Sequence, residues 1–305
     1  MRLDDAFVRR ITGVFGDGGR AWLDALPSIV DEYAARWALT LGERFPLSYN
    51  YVVPVTRADG MLAVLKAGVP ARELRSEIAA LRHYGGRGAV RLLEADADHG
   101  VFLLERVAPG TTLLELEDDA EATAIAAGVM RELWRPPPSD HDFPTIAGWA
   151  EAFGRLRARF DGGSGPLPAR LVEEAERRYA ELSASGEASA AAPVVLHGDL
   201  HHENILRGER APWLAIDPKG IVGEPAFEAY AFLRNPVPFP IGYPDAERTL
   251  ARRVEVFSER LGFERQRIIG WGVVGAVLSA CWSVEDHEGG WEPAIAAAEL
   301  LASGL

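Results

Sequence analysis

Apolar residues recur at helical spacing through residues 1–36, where Trp22, Leu23, Leu26, Ile29, Val30 and Tyr33 fall on one face. The period then changes. Trp37–Leu41, Tyr51–Thr56 and Met61–Lys66 are short strand-like runs, and Arg57-Ala58-Asp59-Gly60 between the last two has the composition of a hairpin turn. Pro70 to Glu73 opens a helix that runs to about Tyr84, because proline is tolerated in a first helical turn. Two further strands are expected over Ala89–Ala95 and Gly100–Arg106, joined by the polar turn Asp96–His99.

Val107-Ala108-Pro109-Gly110 interrupts this pattern, and helices dominate beyond it, over Leu113–Leu133, Ile146–Phe160 and Pro168–Ser183. Short strands return at Pro193–His197, Asn204–Arg207 and Trp213–Ile216. The Ala/Ser/Glu stretch 183–192 reads as a mobile surface loop, and helices resume from Phe227 around the proline-rich loop Asn235–Pro244. Trp271 and Gly272-Val273-Val274-Gly275 read as tight helix packing, since no strand leads into them as a phosphate loop requires. The fold class is therefore α+β, with an N-terminal domain over 1–108 made of a helical extension followed by a β-rich part, and a helical C-terminal domain over 109–305.

Composition narrows the partners. Acidic and basic residues balance over 1–108, so the whole net charge of −13 falls in 109–305. An acidic lobe repels nucleic acid and attracts cationic ligands. No apolar run approaches the ~20 residues needed to span a bilayer. MRLDDAFVRR lacks the pattern of a signal peptide, and a single cysteine, Cys281, excludes an internal disulfide framework. A cytoplasmic protein with no nucleic-acid or membrane partner is the expectation.

The chemistry concentrates in Val195-Leu196-His197-Gly198-Asp199-Leu200-His201-His202-Glu203-Asn204-Ile205-Leu206, followed by Ala215-Ile216-Asp217-Pro218-Lys219-Gly220. An apolar strand delivers Asp199 into a loop, Asn204 starts the next strand, and Asp217 ends a third. Phosphoryl transfer asks little covalent help of a protein; it needs an oriented nucleophile and a held metal. An aspartate near the attacking hydroxyl, with an asparagine and a second aspartate as oxygen ligands, suits Mg²⁺. Asp-x4-Asn followed by a strand-terminal Asp is the order of a kinase catalytic loop and metal loop. A zinc site built on His197, Asp199, His201 and His202 is disfavoured, because adjacent His201 and His202 point to different sides of an extended loop. His197 reads instead as a structural residue holding the loop.

Of 32 basic residues only Lys66 and Lys219 are lysines. A compact ammonium suits a point contact to phosphate. Lys66 ends a strand-like run, whereas Lys219 suits either a phosphate contact or a turn cap.

The segment HGDLHHEN…IDPKG resembles the aminoglycoside phosphotransferase superfamily, in its aminoglycoside/hydroxyurea antibiotic-resistance kinase branch. The likeness continues through Gly223–Glu228, Phe232–Pro236, Trp282–Asp286 and Leu103–Gly110. It implies a bilobal protein-kinase-like fold, with a small β-rich N-lobe and a larger helical C-lobe. It implies Asp199 as catalytic base or hydroxyl orienter, Asn204 and Asp217 as Mg²⁺ ligands, and Lys66 as the contact to the α- and β-phosphates of ATP or GTP. Glu77 is the expected partner of Lys66, with Glu73 as the competitor, and Glu105 to Ala108, including Val107, would form the hinge that holds adenine. The acceptor implied is a small cationic antibiotic, foremost the 6-hydroxyl of streptomycin, with hydroxyurea or an endogenous sugar or amino alcohol as alternatives and a non-catalytic nucleotide-binding module as the rival class. Glu228, Trp282, Glu285 and Asp286 are the acceptor-side candidates. The turn Leu41–Asn50 lacks a G-x-G-x-x-G loop, the metal loop reads Asp-Pro-Lys-Gly, and no A-P-E element follows. These departures argue against a protein substrate.

Overall fold

The computed structural model describes residues 3–184, 192–286 and 289–304. These divide into two compact units, 1–110 and 111–305. Most of the loop expected over 183–192 lies outside the described residues.

The first unit begins with α1 (Asp5–Arg36), whose first turn is capped by Asp4 accepting from the Phe7 amide at 2.7 Å. Phe7, Ile11, Trp22, Leu26, Val30 and Tyr33 form its buried stripe, and a kink falls at Gly16, where φ is +56°. The stripe packs with Tyr51, Val53, Val55, Ala63, Leu65, Val101 and Leu103 in one core. Those residues come from an antiparallel sheet of β1 (Leu39–Leu41), β2 (Tyr51–Arg57), β3 (Leu62–Ala67), β4 (Leu92–Asp96) and β5 (Val101–Glu105), ordered β1-β2-β3-β5-β4. Alternation along β2 puts Tyr51, Val53 and Val55 inward. The helix α2 (Arg72–Tyr84) buries Leu74, Ile78, Leu81 and Tyr84 and ends at Gly85 in the left-handed region. The chain leaves this unit within β6 (Pro109–Thr112).

The second unit is mostly helical: α3 (Asp119–Leu133), α4 (Ile146–Arg159), α5 (Ala169–Ala184), α6 (Ala229–Leu233), α7 (Ala246–Leu261), α8 (Arg265–Glu285) and α9 (Glu292–Ala302). The helix expected from Leu113 starts later. Residues 113–115 form a 3-10 turn, and the α-helix begins where Asp118 accepts from the amides of Ala120 and Glu121. Two small hairpin-like pairs carry the loops. The strand β7 (Val194–Leu196) pairs antiparallel with β10 (Ile221–Gly223), and β8 (Ile205–Gly208) pairs antiparallel with β9 (Trp213–Ala215).

At the centre of this unit lies α8, which corrects the expectation that no apolar run approaches a bilayer-spanning length. By length and composition this 21-residue helix is apolar enough to cross a bilayer. Yet 78% of its most apolar stretch is buried within the unit, against α4, α5, α6 and α9. A helix apolar all round is what a core helix requires.

Candidate functional site

In the first unit Lys66 lies near the end of β3 and is buried, at 3% exposure. Its Nζ is 2.7 Å from Oε1 of Glu77 on α2, and the pair is enclosed. Glu77, one of the two glutamates expected near the lysine, is thus a carboxylate that meets it. The Phe102 ring lies 5.6 Å from the ammonium. Glu105 closes β5 and accepts from the Arg91 amide through Oε1 at 2.9 Å, while Val107 follows half-buried between exposed Arg106 and Ala108. An open hollow of about 520 Å³ at the β1–β2 end is lined by Thr40–Glu43, Phe45, Pro54–Thr56 and Arg106; neither Lys66 nor Glu77 borders it.

In the second unit the loop after β7 carries Asp199. Gly198 just before it has φ +81°, and a Cβ there would sit 2.9 Å from Ile221, 3.0 Å from the Trp149 ring and 3.2 Å from Lys219. Only glycine fits such a turn without displacing neighbours. The loop is held by its own histidine. His197 is fully buried, donates from Nε2 to the Ile216 carbonyl at 2.8 Å and accepts the Asp199 amide on Nδ1 at 3.2 Å. Burial pushes its pKa down to about 4, with the Ile216 carbonyl opposing, so the ring is neutral in this role.

Asn204 lies beside Asp199. Its amide nitrogen donates to the Asp199 carbonyl at 2.9 Å and lies 3.2 Å from His201 Nε2, which turns the amide oxygen away from both. The Asn204 carbonyl accepts the Ile216 amide at 2.9 Å, tying it to the residue before Asp217. Asp217 is exposed, at φ +58°, in the turn after β9. An exposed carboxylate and an outward-turned amide oxygen are hard oxygen donors, so these residues fit a Mg²⁺ ion.

The other two histidines part company. His201 is half-buried, with Nε2 at 3.9 Å from Asp199 Oδ2, whereas His202 is buried and stacks on Phe232 at 3.9 Å between centroids. Burial would raise the Asp199 pKa, but His201, Arg234, Lys219 and His197 together hold it below the usual carboxylate value. The carboxylate is thus ionised at neutral pH.

Glu228 must be reassigned. It is wholly buried, and both its oxygens are engaged: Oε2 accepts the His197 amide at 2.7 Å and Oε1 the Gly198 amide at 2.8 Å. A carboxylate committed to two backbone donors beneath the Asp199 loop is not presented to an acceptor. Its neighbour Tyr230, which sequence reading passed over, donates to the Gly198 carbonyl at 2.6 Å. Tyr230 reaches that position because Gly275 of α8 leaves room for its ring. Glu285 is also occupied, by a two-bond pair with Arg155 at 2.9 and 3.2 Å. Trp282 is half-buried and edge-on to Trp149 at 5.0 Å, and Asp286 is the exposed cap of α8. Trp149, which touches Gly198, carried no signal in the sequence beyond its size.

The architecture of an antiparallel sheet followed by a mostly helical region is the protein-kinase-like fold of small-molecule kinases. It matches a thermostable mutant of aminoglycoside phosphotransferase APH(4)-Ia, solved with ADP and hygromycin B, at a TM-score of 0.61 and 14% identity, over 90% of this chain and 97% of that one. The chain belongs to the aminoglycoside/hydroxyurea antibiotic resistance kinase family, whose profile matches residues 36–287. It is 35% identical to a streptomycin 6-kinase of Streptomyces glaucescens over 306 residues, covering 95% of this chain and 92% of the relative. It is 37% identical to a hydroxyurea phosphotransferase of Kitasatospora aureofaciens over 295 residues, covering 94% and 82%.

Proposed function

We propose that this small-molecule kinase transfers the γ-phosphoryl group of ATP, with Mg²⁺, to the 6-hydroxyl of streptomycin. The observation that carries the chemistry is the Asp199 loop: an ionised carboxylate on a backbone clamped at His197 and Gly198, with Asn204 bonded to it and tied to the strand that delivers Asp217. In this reading the acceptor oxygen bonds to the γ-phosphorus as the bond from that phosphorus to the β,γ-bridging oxygen breaks. ADP leaves, and the hydroxyl proton passes to Asp199. Lys66, fixed by Glu77, offers its ammonium to the α- and β-phosphates. Asn204 and Asp217 would hold Mg²⁺, which supplies charge neutralisation on the phosphate oxygens when bound. GTP would meet the same lysine and metal ligands.

The acceptor assignment is supported by two features of residues 111–305. The net negative charge of the protein falls there, and the half-buried Trp149 ring lies against Gly198 of the Asp199 loop with Trp282 edge-on behind it, where an aromatic face suits a guanidinium. A hydroxyurea-like acceptor is the second reading, favoured by the 37% identity to a hydroxyurea phosphotransferase.

The test is ADP release with ATP and Mg²⁺ against streptomycin, other aminoglycosides, hydroxyurea and amino alcohols, with Asp199→Asn and Asp217→Ala alongside. Streptomycin-dependent release lost in both variants is expected. Full activity in Asp217→Ala would remove the metal assignment, and release only with another acceptor would replace the substrate.

A further inference from the structure

Arg234 enters the account above only as one of the charges that keep Asp199 ionised, yet its guanidinium lies directly against the reacting carboxylate. Nη2 is 3.4 Å from Asp199 Oδ1, and both side chains are largely enclosed, at 17% and 25% exposure. The guanidinium carbon is 5.8 Å from the centre of the Tyr230 ring, the same ring whose hydroxyl holds the Gly198 carbonyl. Nε is buried and has no hydrogen-bond partner among the described residues.

The backbone beneath Arg234 is fixed on both sides. Arg253, only 3% exposed, donates through Nη1 to the carbonyls of Phe232 at 3.1 Å and Asn235 at 2.6 Å. Its other nitrogens bond Asp119, at 3.0 Å from Nε to Oδ1, and its guanidinium packs over Phe232 and Phe239. The Asn235 side chain donates to the Ala231 carbonyl at 2.8 Å. A guanidinium projecting from so fixed a base has few alternative positions, and a planar fork loses little freedom in taking one.

The two oxygens of Asp199 are therefore unequal. Oδ1 faces Arg234, whereas Oδ2 faces His201 Nε2 at 3.9 Å, beyond hydrogen-bond reach. We propose that Arg234 is a positioning residue for phosphoryl transfer: by engaging Oδ1 it sets the rotation of the Asp199 carboxylate and presents Oδ2 to the acceptor hydroxyl. This rests on the reading of Asp199 as the group that orients the hydroxyl. The role differs from that of a phosphate clamp, which would act on nucleotide binding, and from that of a folding ion pair, which would act on stability alone.

The experiment compares Arg234→Gln, Arg234→Lys, Asp199→Asn and the Arg234→Gln/Asp199→Asn double variant. ADP release is followed long enough to read slow turnover, with streptomycin or hydroxyurea as acceptor and water where neither supports turnover. Arg234→Gln is expected to lower kcat by about 10–100-fold, the order of loss that misplacing a reacting group causes. KM for ATP should stay within about twofold, lysine should recover part of kcat, and the glutamine change should cost little further in the Asp199→Asn background. An unchanged kcat in Arg234→Gln would overturn the proposal, as would an equal loss in both backgrounds or a rise in KM for ATP at unchanged kcat. Wild-type turnover in Asp199→Asn would instead sink the reading of Asp199. Loss in Asp199→Asn with none in Arg234→Gln would spare that reading and discard the positioning role.

Discussion

Glu228 Oε1 accepts the amide of Gly198 at 2.8 Å, one residue before Asp199, and its second oxygen takes the preceding amide. Thirty residues downstream of the loop, a single buried carboxylate thus fixes two successive peptide planes. Tyr230, two residues further on, holds the Gly198 carbonyl from the same segment. The loop carrying Asp199 is set by α6 and the turn before it as much as by its own sequence.

Glu228→Gln is accordingly not a silent isostere. A glutamine offers one acceptor oxygen and one NH₂ group, so one of the two backbone amides faces a donor. Leaving a buried donor unsatisfied costs about 1–3 kcal/mol. The expected outcome is a lower melting temperature and a lower kcat, with KM for ATP little changed. Thermal denaturation and steady-state rates check both.

The same residue makes stability depend on pH. Burial raises the Glu228 pKa to about 7, against the opposing effect of the Gly198 and His197 amides. Between the unfolded value of about 4.5 and the folded value of about 7, the folded state binds more protons than the unfolded one. The group's contribution therefore falls as pH rises through this window, and is most favourable below it. The melting temperature of the wild type, taken relative to Glu228→Gln at each pH, should drop from pH 4.5 to pH 7 and then level off. A flat difference would show that the carboxylate stays ionised throughout.

In the first unit Lys66 and Glu77 form an ion pair at 3% and 8% side-chain exposure. Removing one partner of such a pair typically costs about 3–5 kcal/mol, because the remaining charge loses its buried counter-ion, whereas replacing both by apolar groups is often neutral. Lys66→Met and Glu77→Met should each lower the melting temperature sharply, and the double variant should regain most of the loss. Nucleotide protection against unfolding should stay absent in the double variant, since the ammonium is gone. A double variant still stabilised by ATP would remove the phosphate role from Lys66.

Much of this was legible in the chain. The stripe of α1, the strand that carries Lys66 near its end and the closeness of Asp199, Asn204 and the residue before Asp217 all follow from local pattern and spacing. What escaped was long-range. The strand β10 has only three residues, Ile221–Gly223, too few for a period-two signal, and exists because β7 lies ready to pair. Glu228 reads as an acceptor-side candidate in the sequence because its donors arrive from residues 197 and 198, which no local pattern around it reveals. The start of α3 was misread because Leu113 and Leu114 extend the apolar periodicity into a 3-10 turn. The capping aspartate, Asp118, was the better signal.

Gly198→Ala tests whether the loop tolerates any side chain at its turn. Its φ of +81° is unfavourable for alanine, and the added carbon would meet Ile221 at 2.9 Å and the Trp149 ring at 3.0 Å. The backbone cannot rotate away cheaply, since Glu228 holds its amide and Tyr230 its carbonyl. Conformational strain of this kind costs about 1–3 kcal/mol, before the contacts are counted. The variant should therefore melt lower, and any folded fraction should show reduced kcat, because relief comes only by moving the peptide that carries Asp199. Nucleotide protection should survive in that fraction if the Lys66 and Glu77 pair is undisturbed. Unchanged kcat in Gly198→Ala would mean that Asp199 does not need the backbone position seen here.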